Sequence, residues 1–138
     1  MQAIVVGCGR VGSALAKKLA AADWQVAVVD SDETALELLP DDWRHPFVVG
    51  HALDTNVLEE AGIRDADVLV AATAGDNTNV VVAQVAKLRY EVERVAVRIH
   101  DPGRADFYGD RGLELVSPTR TAIRELTTWA LAQDGGGS

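Results

Sequence analysis

Residues 7–12 read Gly-Cys-Gly-Arg-Val-Gly, and they stand where a β-branched run, Ile4-Val5-Val6, gives way to a stretch with apolar residues three and four apart. Three glycines at such a junction leave few folds open. Gly7 lets a strand turn at once into a helix, Gly9 removes the Cβ that would block a group approaching the backbone, and Gly12 lets the helix pack close to the strand. The group such a turn admits is a phosphate or pyrophosphate, because the first amides of a helix lack partners and sit at the positive end of its dipole. Glycines cluster in any turn-rich segment, so the motif gains its weight from the strand before it and the helix after it.

The rest of the chain repeats that alternation. Short, mostly apolar runs predict strands over 3–6, 25–29, 46–49, 67–71, 94–99 and 113–116, and amphipathic stretches predict helices over 11–22, 32–39, 55–61, 77–90, 104–108 and 119–132. Strands alternating with helices signal a parallel α/β sheet. Ile4-Val5-Val6 and Val68-Leu69-Val70 are apolar without alternation, as strands covered on both faces must be, which places the first and fourth strands centrally. The expected fold is a single α/β domain over 1–134, a Rossmann-type doubly wound parallel six-stranded sheet. The Gly-Gly-Gly-Ser ending at 135–138 is expected to be a flexible tail.

Composition narrows the function. A formal charge of −8, with 13 Lys and Arg against 21 Asp and Glu, argues against nucleic acid as partner, since phosphate backbones are bound by surplus cations. The acidity is uneven: 1–69 holds 5 basic and 12 acidic side chains, 70–138 holds 8 and 9, so the second half is friendlier to anions. A lone cysteine, Cys8, cannot form an intrachain disulfide and fits a reducing cytoplasm. No apolar run approaches the eighteen or so residues of a membrane span, and strand-like sequence begins directly after Gln2, so neither membrane insertion nor a secretory leader is expected.

Ligands of an open parallel sheet sit beyond the carboxyl ends of its strands, so the residues that follow each strand carry the function. The second strand ends in Asp30, eighteen residues after Gly12, with Ser31 next. An acid there accepts hydrogen bonds from both hydroxyls of an adenosine ribose and repels a 2′-phosphate, favouring NAD(H) over its phosphorylated relative. Arg10 lies in the first helical turn, in reach of a phosphate or free in solvent. Cys8 reads more simply as a small residue filling space behind the loop than as a redox sensor. His51, after the third strand, lines the adenine side or merely faces water; no metal-ligand spacing accompanies it. Asp76 is the expected N-cap of the helix from Asn77, with Asn79 one turn in on the same rim. Arg98 closes the fifth strand, either as a cation at the ligand edge or as half of an ion pair in a subunit contact. No nucleophile stands beside a base and no motif pairs two carboxylates, so no catalytic residue is expected.

Taken together, Gly7 to Gly12, Val28-Val29-Asp30, Gly50-His51-Ala52-Leu53-Asp54, Leu58 to Ile63, Ala72 to Asn79, Val97-Arg98 and Val116 to Thr119 resemble the N-terminal nucleotide-binding (RCK or KTN) domain of Trk-type potassium-uptake regulators. The resemblance runs from Met1 to about Ala132. It implies a cytoplasmic regulatory domain that binds NAD(H), or alternatively ATP, ADP or AMP, and forms dimers, stacked into rings, beneath a membrane-embedded potassium transporter or channel. It implies that Arg10 meets phosphate, Asp30 holds the ribose, and Thr73 with its successors lines the rim. The implied contact set adds Val11, Ser31, Ala52, Leu53 and Ala72 to Gly7, Cys8, Gly9, Gly12, His51, Asp76, Asn79 and Arg98.

Two features depart from that family. Its ATP-regulated branch carries a glutamate after the proline, where this chain has Thr119, and its usual C-terminal regulatory domain is missing, so a fragment or a single-domain member is expected. The competing reading is the nucleotide-binding fragment of an NAD-dependent oxidoreductase, which needs a substrate site encoded elsewhere. The last helix carries an apolar stripe, Ala122, Ile123, Leu126, Trp129 and Ala130, that packs either on its own sheet or on a second copy in a homodimer.

Overall fold

A computed structural model of the protein describes residues 1–101, 103 and 112–136. Six parallel strands form one sheet: β1 (Gln2–Val6), β2 (Gln25–Asp30), β3 (Phe47–Val49), β4 (Val68–Ala71), β5 (Arg94–Arg98) and β6 (Glu114–Val116). Their order is β3-β2-β1-β4-β5-β6. The chain builds outward from β1 to β3, crosses back to β4, and builds outward again. β1 is therefore central, with Val5 opposite Val28 of β2 on one side and Val70 of β4 on the other. The reversal of direction opens a crevice above the ends of β1 and β4.

Neighbouring residues of the central strands serve opposite layers, which is why these strands read as unbroken apolar runs. Ile4, Val6, Val29, Leu69 and Ala71 pack on the side of α2 (Thr55–Glu60) and α3 (Asp76–Leu88), against Leu58, Val80, Ala83 and Ala86. Val5, Val26 and Val28 pack on the other side, against Ala16 of α1 (Arg10–Ala21) and Leu39.

Local chemistry sets the element ends, and several differ from the sequence expectation. The stretch expected as a helix over 32–39 is a 3-10 helix, Glu33–Leu38, with no buried residue. Without an apolar face to bury, so short a segment gains little from packing, and the Asp32 carboxylate holds its first turn by accepting from Thr34 N at 2.9 Å. α2 is capped by Asp54, which accepts from Asn56 N at 2.9 Å. It gives way to Gly62 in the left-handed region, φ +93°. α3 begins at Asp76 with Gly75 as its N-cap, so Asp76 is the first helical residue and not the cap. The last helix, α4 (Pro118–Gly136), opens on a proline, whose fixed φ suits a first turn, and takes in the first two glycines of the expected tail. The helix expected over 104–108 lies outside the described residues.

α4 leaves its apolar stripe in solvent: Ile123, Leu126 and Trp129 are 59%, 67% and 65% exposed. The stripe thus does not pack on its own sheet. No described helix is long and apolar enough to cross a membrane.

Candidate functional site

The three glycines of the βα turn play three different steric parts. Gly7 adopts φ +99°, and a Cβ there would lie 2.7 Å from Thr73 N, so the loop is pressed against the segment leaving β4. Its amide continues the sheet by donating to Val29 O at 2.7 Å. Gly12 faces inward, and a Cβ on it would run into the carbonyl of Gly7. Gly9, the N-cap of α1, is the opposite case: a Cβ would meet nothing within 4 Å. That space is the crevice. α1 has neither a side-chain cap nor an acid in its first turn, so its leading amides face an open cavity with their dipole unopposed.

Asp30, at the end of β2, reaches across to this loop. One carboxylate oxygen accepts from Cys8 N at 2.7 Å and the other from Asp32 N at 2.9 Å. Cys8 itself turns inward, its thiol donating to Ala35 O at 3.4 Å. Burial, and then the nearby negative charge of Asp30, push the thiol pKa up, which keeps it protonated and disfavours a redox role.

Around these groups lies a crevice of about 810 Å³. It brings together Gly7, Cys8, Gly9 and Arg10 from the loop, Asp30 and Ser31 from β2, His51 and Ala52 after β3, Ala72 and Thr73 after β4, and Arg98 from β5. Acidic groups (Asp30, Asp32, Glu37) gather on the β2 side, while Arg10 and Arg98 stand at the helix start and on β5. Sequence reasoning passes over Asp32, Thr34, Ala35, Glu37 and Leu38, which form the wall beyond β2, whereas Gly50 of the motif after β3, and Ala74, Gly75 and Thr78 of the rim segment expected after Thr73, do line the crevice. The signal for the first group was present in the chain, since whatever follows Asp30 must line the same edge.

Five expected contact residues do not line the crevice. Val11 and Leu53 point to solvent, and Gly12 is buried under the loop. The Asp76 carboxylate is engaged elsewhere, accepting from His100 N at 2.8 Å and Asp101 N at 3.1 Å. Asn79 is completely buried, so it is not a rim residue. Its Oδ1 accepts from Thr73 N at 2.9 Å and from Thr73 Oγ1 at 2.6 Å, while its Nδ2 donates to Thr73 O at 3.0 Å and Arg98 O at 2.9 Å. Arg98 adds a bond from Nη2 to Thr73 O at 3.2 Å and lies 3.0 Å from His100 Nε2. His51 spends its Nδ1 on Leu53 N at 3.2 Å, leaving the rest of the ring toward the crevice.

The model of the TrkA-N domain family matches residues 3–118. The chain belongs to this family. A relative of this TrkA-N domain, the Trk system potassium uptake protein TrkA of Streptomyces coelicolor, is 42% identical over 126 residues, covering 91% of the chain and 56% of that protein. The domain thus spans about half the length of that relative. Among solved structures, the TrkA-N domain of the inner membrane protein ybaL from Escherichia coli superposes with a TM-score of 0.83 at 23% identity, covering 93% of the chain and 95% of its own. The AMP-bound form of the Shewanella denitrificans Kef CTD gives 0.79 at 23%, covering 98% and 82%. The GsuK channel bound to NAD gives 0.80 at 22%, covering 96% and 24%. At these identities the structures establish a shared fold, a Rossmann-like all-parallel sheet.

Proposed function

We propose that this TrkA-N domain is a nucleotide-sensing regulatory unit of a potassium-uptake system, binding NAD(H) or an adenine nucleotide in the crevice between Gly9, Asp30 and Arg98. The reading rests on the open space above Gly9. A glycine whose missing side chain opens onto a cavity, at an uncapped helix start, is where a pyrophosphate reaches backbone amides. The charge layout suits the rest of such a ligand, with a carboxylate for the ribose hydroxyls at Asp30 and cations at Arg10 and Arg98 for phosphates. That similar folds are named as bound to NAD and to AMP supports the same ligand class here. Thr119, standing where the ATP-regulated branch carries a glutamate, favours NAD(H) over ATP with a cation.

In this reading the nucleotide is a signal and not a reagent. A ligand moves a conformational equilibrium only through its differential affinity for two states, so the forms to be told apart must touch the rim differently. The partner is the membrane-embedded transporter or channel subunit of the potassium system, met at its cytoplasmic side by a homodimer, or a ring of dimers, joined through the exposed stripe of α4. Calorimetric titration with NADH, NAD, ATP, ADP and AMP tests the core of it. Saturable binding of at least one of them, lost by more than ~100-fold in Gly9→Val, is expected, because two charge-assisted bonds to backbone amides are forfeited. Equal binding by parent and variant, or turnover of NADH with a small substrate, overturns it.

A further inference from the structure

We propose that Asn79 is a positioning residue that couples nucleotide at the crevice rim to the chain leaving β5, without touching the ligand. The inference rests on the nucleotide-sensing reading above and assigns the route by which occupancy leaves the site. An amide side chain offers two donors and one acceptor oxygen with two lone pairs, and Asn79 uses all four, three of them on Thr73 and the fourth on Arg98 O. The paired register of β4 and β5 ends at Ala71 opposite Val97, so Asn79 continues the connection between the two strands just where their own ladder stops. Thr73 and Arg98 both line the crevice. The two rim residues are therefore held to each other by a group that water cannot reach.

The same turn of α3 holds a second grip. Asp76, three residues before Asn79 and on the same helical face, accepts from the amides of His100 and Asp101. A helical turn is stiff, so a shift of Thr73 on ligand contact is carried through Asn79 to Asp76 and on to His100 and Asp101. Those residues lie on the chain that continues to β6 and α4. Simple replacements break this connection: alanine removes the acceptor of the Thr73 amide and the amide donor of Arg98 O and leaves Thr73 O only Arg98 Nη2, and aspartate sets a carboxylate against two carbonyl oxygens.

Amide hydrogen exchange of the full chain, read at His100 and Asp101 with and without saturating NADH or AMP, tests the coupling. In the parent, bound nucleotide is expected to slow exchange at both amides by about tenfold, the size of an ordinary coupling between sites. In Asn79→Ala that ligand-dependent slowing disappears, although nucleotide still binds at higher concentration. Thr73→Val, which removes the hydroxyl's bond to Asn79 Oδ1 together with its contacts to the Gly75 backbone and keeps the three backbone bonds of Thr73 and Arg98 to Asn79, reduces the slowing and supplies the test should Asn79→Ala not fold. A merely structural role would raise exchange at these amides equally with and without nucleotide. Undiminished ligand-dependent slowing in either folded variant, or none in a parent that binds nucleotide, overturns the coupling alone. A parent that binds no nucleotide overturns the sensing reading as well.

Discussion

The carboxylate of Asp30 accepts a hydrogen bond from the backbone amide of Cys8 at 2.7 Å, tying the end of β2 to the middle of the glycine loop. With its other oxygen on Asp32 N, Asp30 shapes the crevice before any ligand arrives. Each oxygen keeps a lone pair, so the same carboxylate can still take ribose hydroxyls. It thus has two duties, and a substitution strikes both.

Asp30→Ala is accordingly expected to weaken NADH, NAD, ADP and AMP together, by ~10- to 100-fold, the range for a lost hydrogen bond to a charged group. It should also weaken inorganic pyrophosphate, which has no ribose, because the loop loses its tether. Arg10→Ala should instead penalise ligands with a second phosphate and spare AMP, flattening the preference among nucleotides. Competition calorimetry separates the two patterns, and unchanged pyrophosphate affinity in Asp30→Ala would limit Asp30 to the ribose.

Gly9 and Gly12 should respond in opposite ways to an added side chain. A Cβ on Gly9 projects into open crevice, so Gly9→Val keeps the parent's unfolding temperature within a few degrees while it blocks the ligand. A Cβ on Gly12 meets the Gly7 carbonyl, so Gly12→Ala must push α1 away from the loop. Overpacking of that kind costs ~1–3 kcal/mol, or about 3–10 °C in midpoint for a domain of this size. Thermal unfolding followed by circular dichroism reads the difference; equal midpoints would break the assignment.

What the sequence discloses about this fold is what is local. The apolar continuity of Ile4-Val5-Val6 and Val68-Leu69-Val70 suffices to place β1 and β4 in the centre, and the glycine spacing suffices to place the crevice. Asn79 and Asp76 differ from the sequence expectation for the opposite reason. Both look like helix-start residues, yet beyond Thr73 they reach Arg98, His100 and Asp101, up to 25 positions away, and no periodicity reports a bond of that range. The segment after Asp30 reads as helical from its leucines, but Leu36 and Leu38 are exposed, and without burial the pattern yields only a 3-10 turn. Exposure of the α4 stripe was likewise undecidable, since the same spacing serves an own-sheet contact and a subunit contact.

Cys8 should behave as a protected thiol. Its folded-state pKa is raised above the ordinary value of 9.0, first by burial and then by Asp30. The sign follows from linkage: a group that holds its proton more tightly when folded stabilises the fold below its unfolded pKa, and that contribution is lost as pH rises through the folded one. Stability should therefore decline above about pH 9 more steeply in the parent than in Cys8→Ala. Denaturant midpoints at pH 7, 9 and 10 measure it, and parallel curves for the two proteins would remove the burial argument.

α4 carries a face that the described fold leaves uncovered. Ile123, Leu126 and Trp129 follow one another at three-residue intervals along α4, all more than half exposed. Isolated exposed leucines are ordinary, but a large aromatic aligned with two branched aliphatics on one helix face is the composition of a subunit contact. The same helix on a second copy is the simplest complement, because a two-fold axis pairs like with like. Sedimentation equilibrium at micromolar concentration is expected to give the mass of two chains. Replacing Leu126 and Trp129 together by serine should return one chain, since losing two anchors of ~2 kcal/mol or more each weakens association by ~1,000-fold. The monomeric variant should keep the parent's far-ultraviolet spectrum, because neither side chain contributes to the sheet core. A parent that sediments as one chain, or a variant that remains a dimer, would assign the stripe to a different partner.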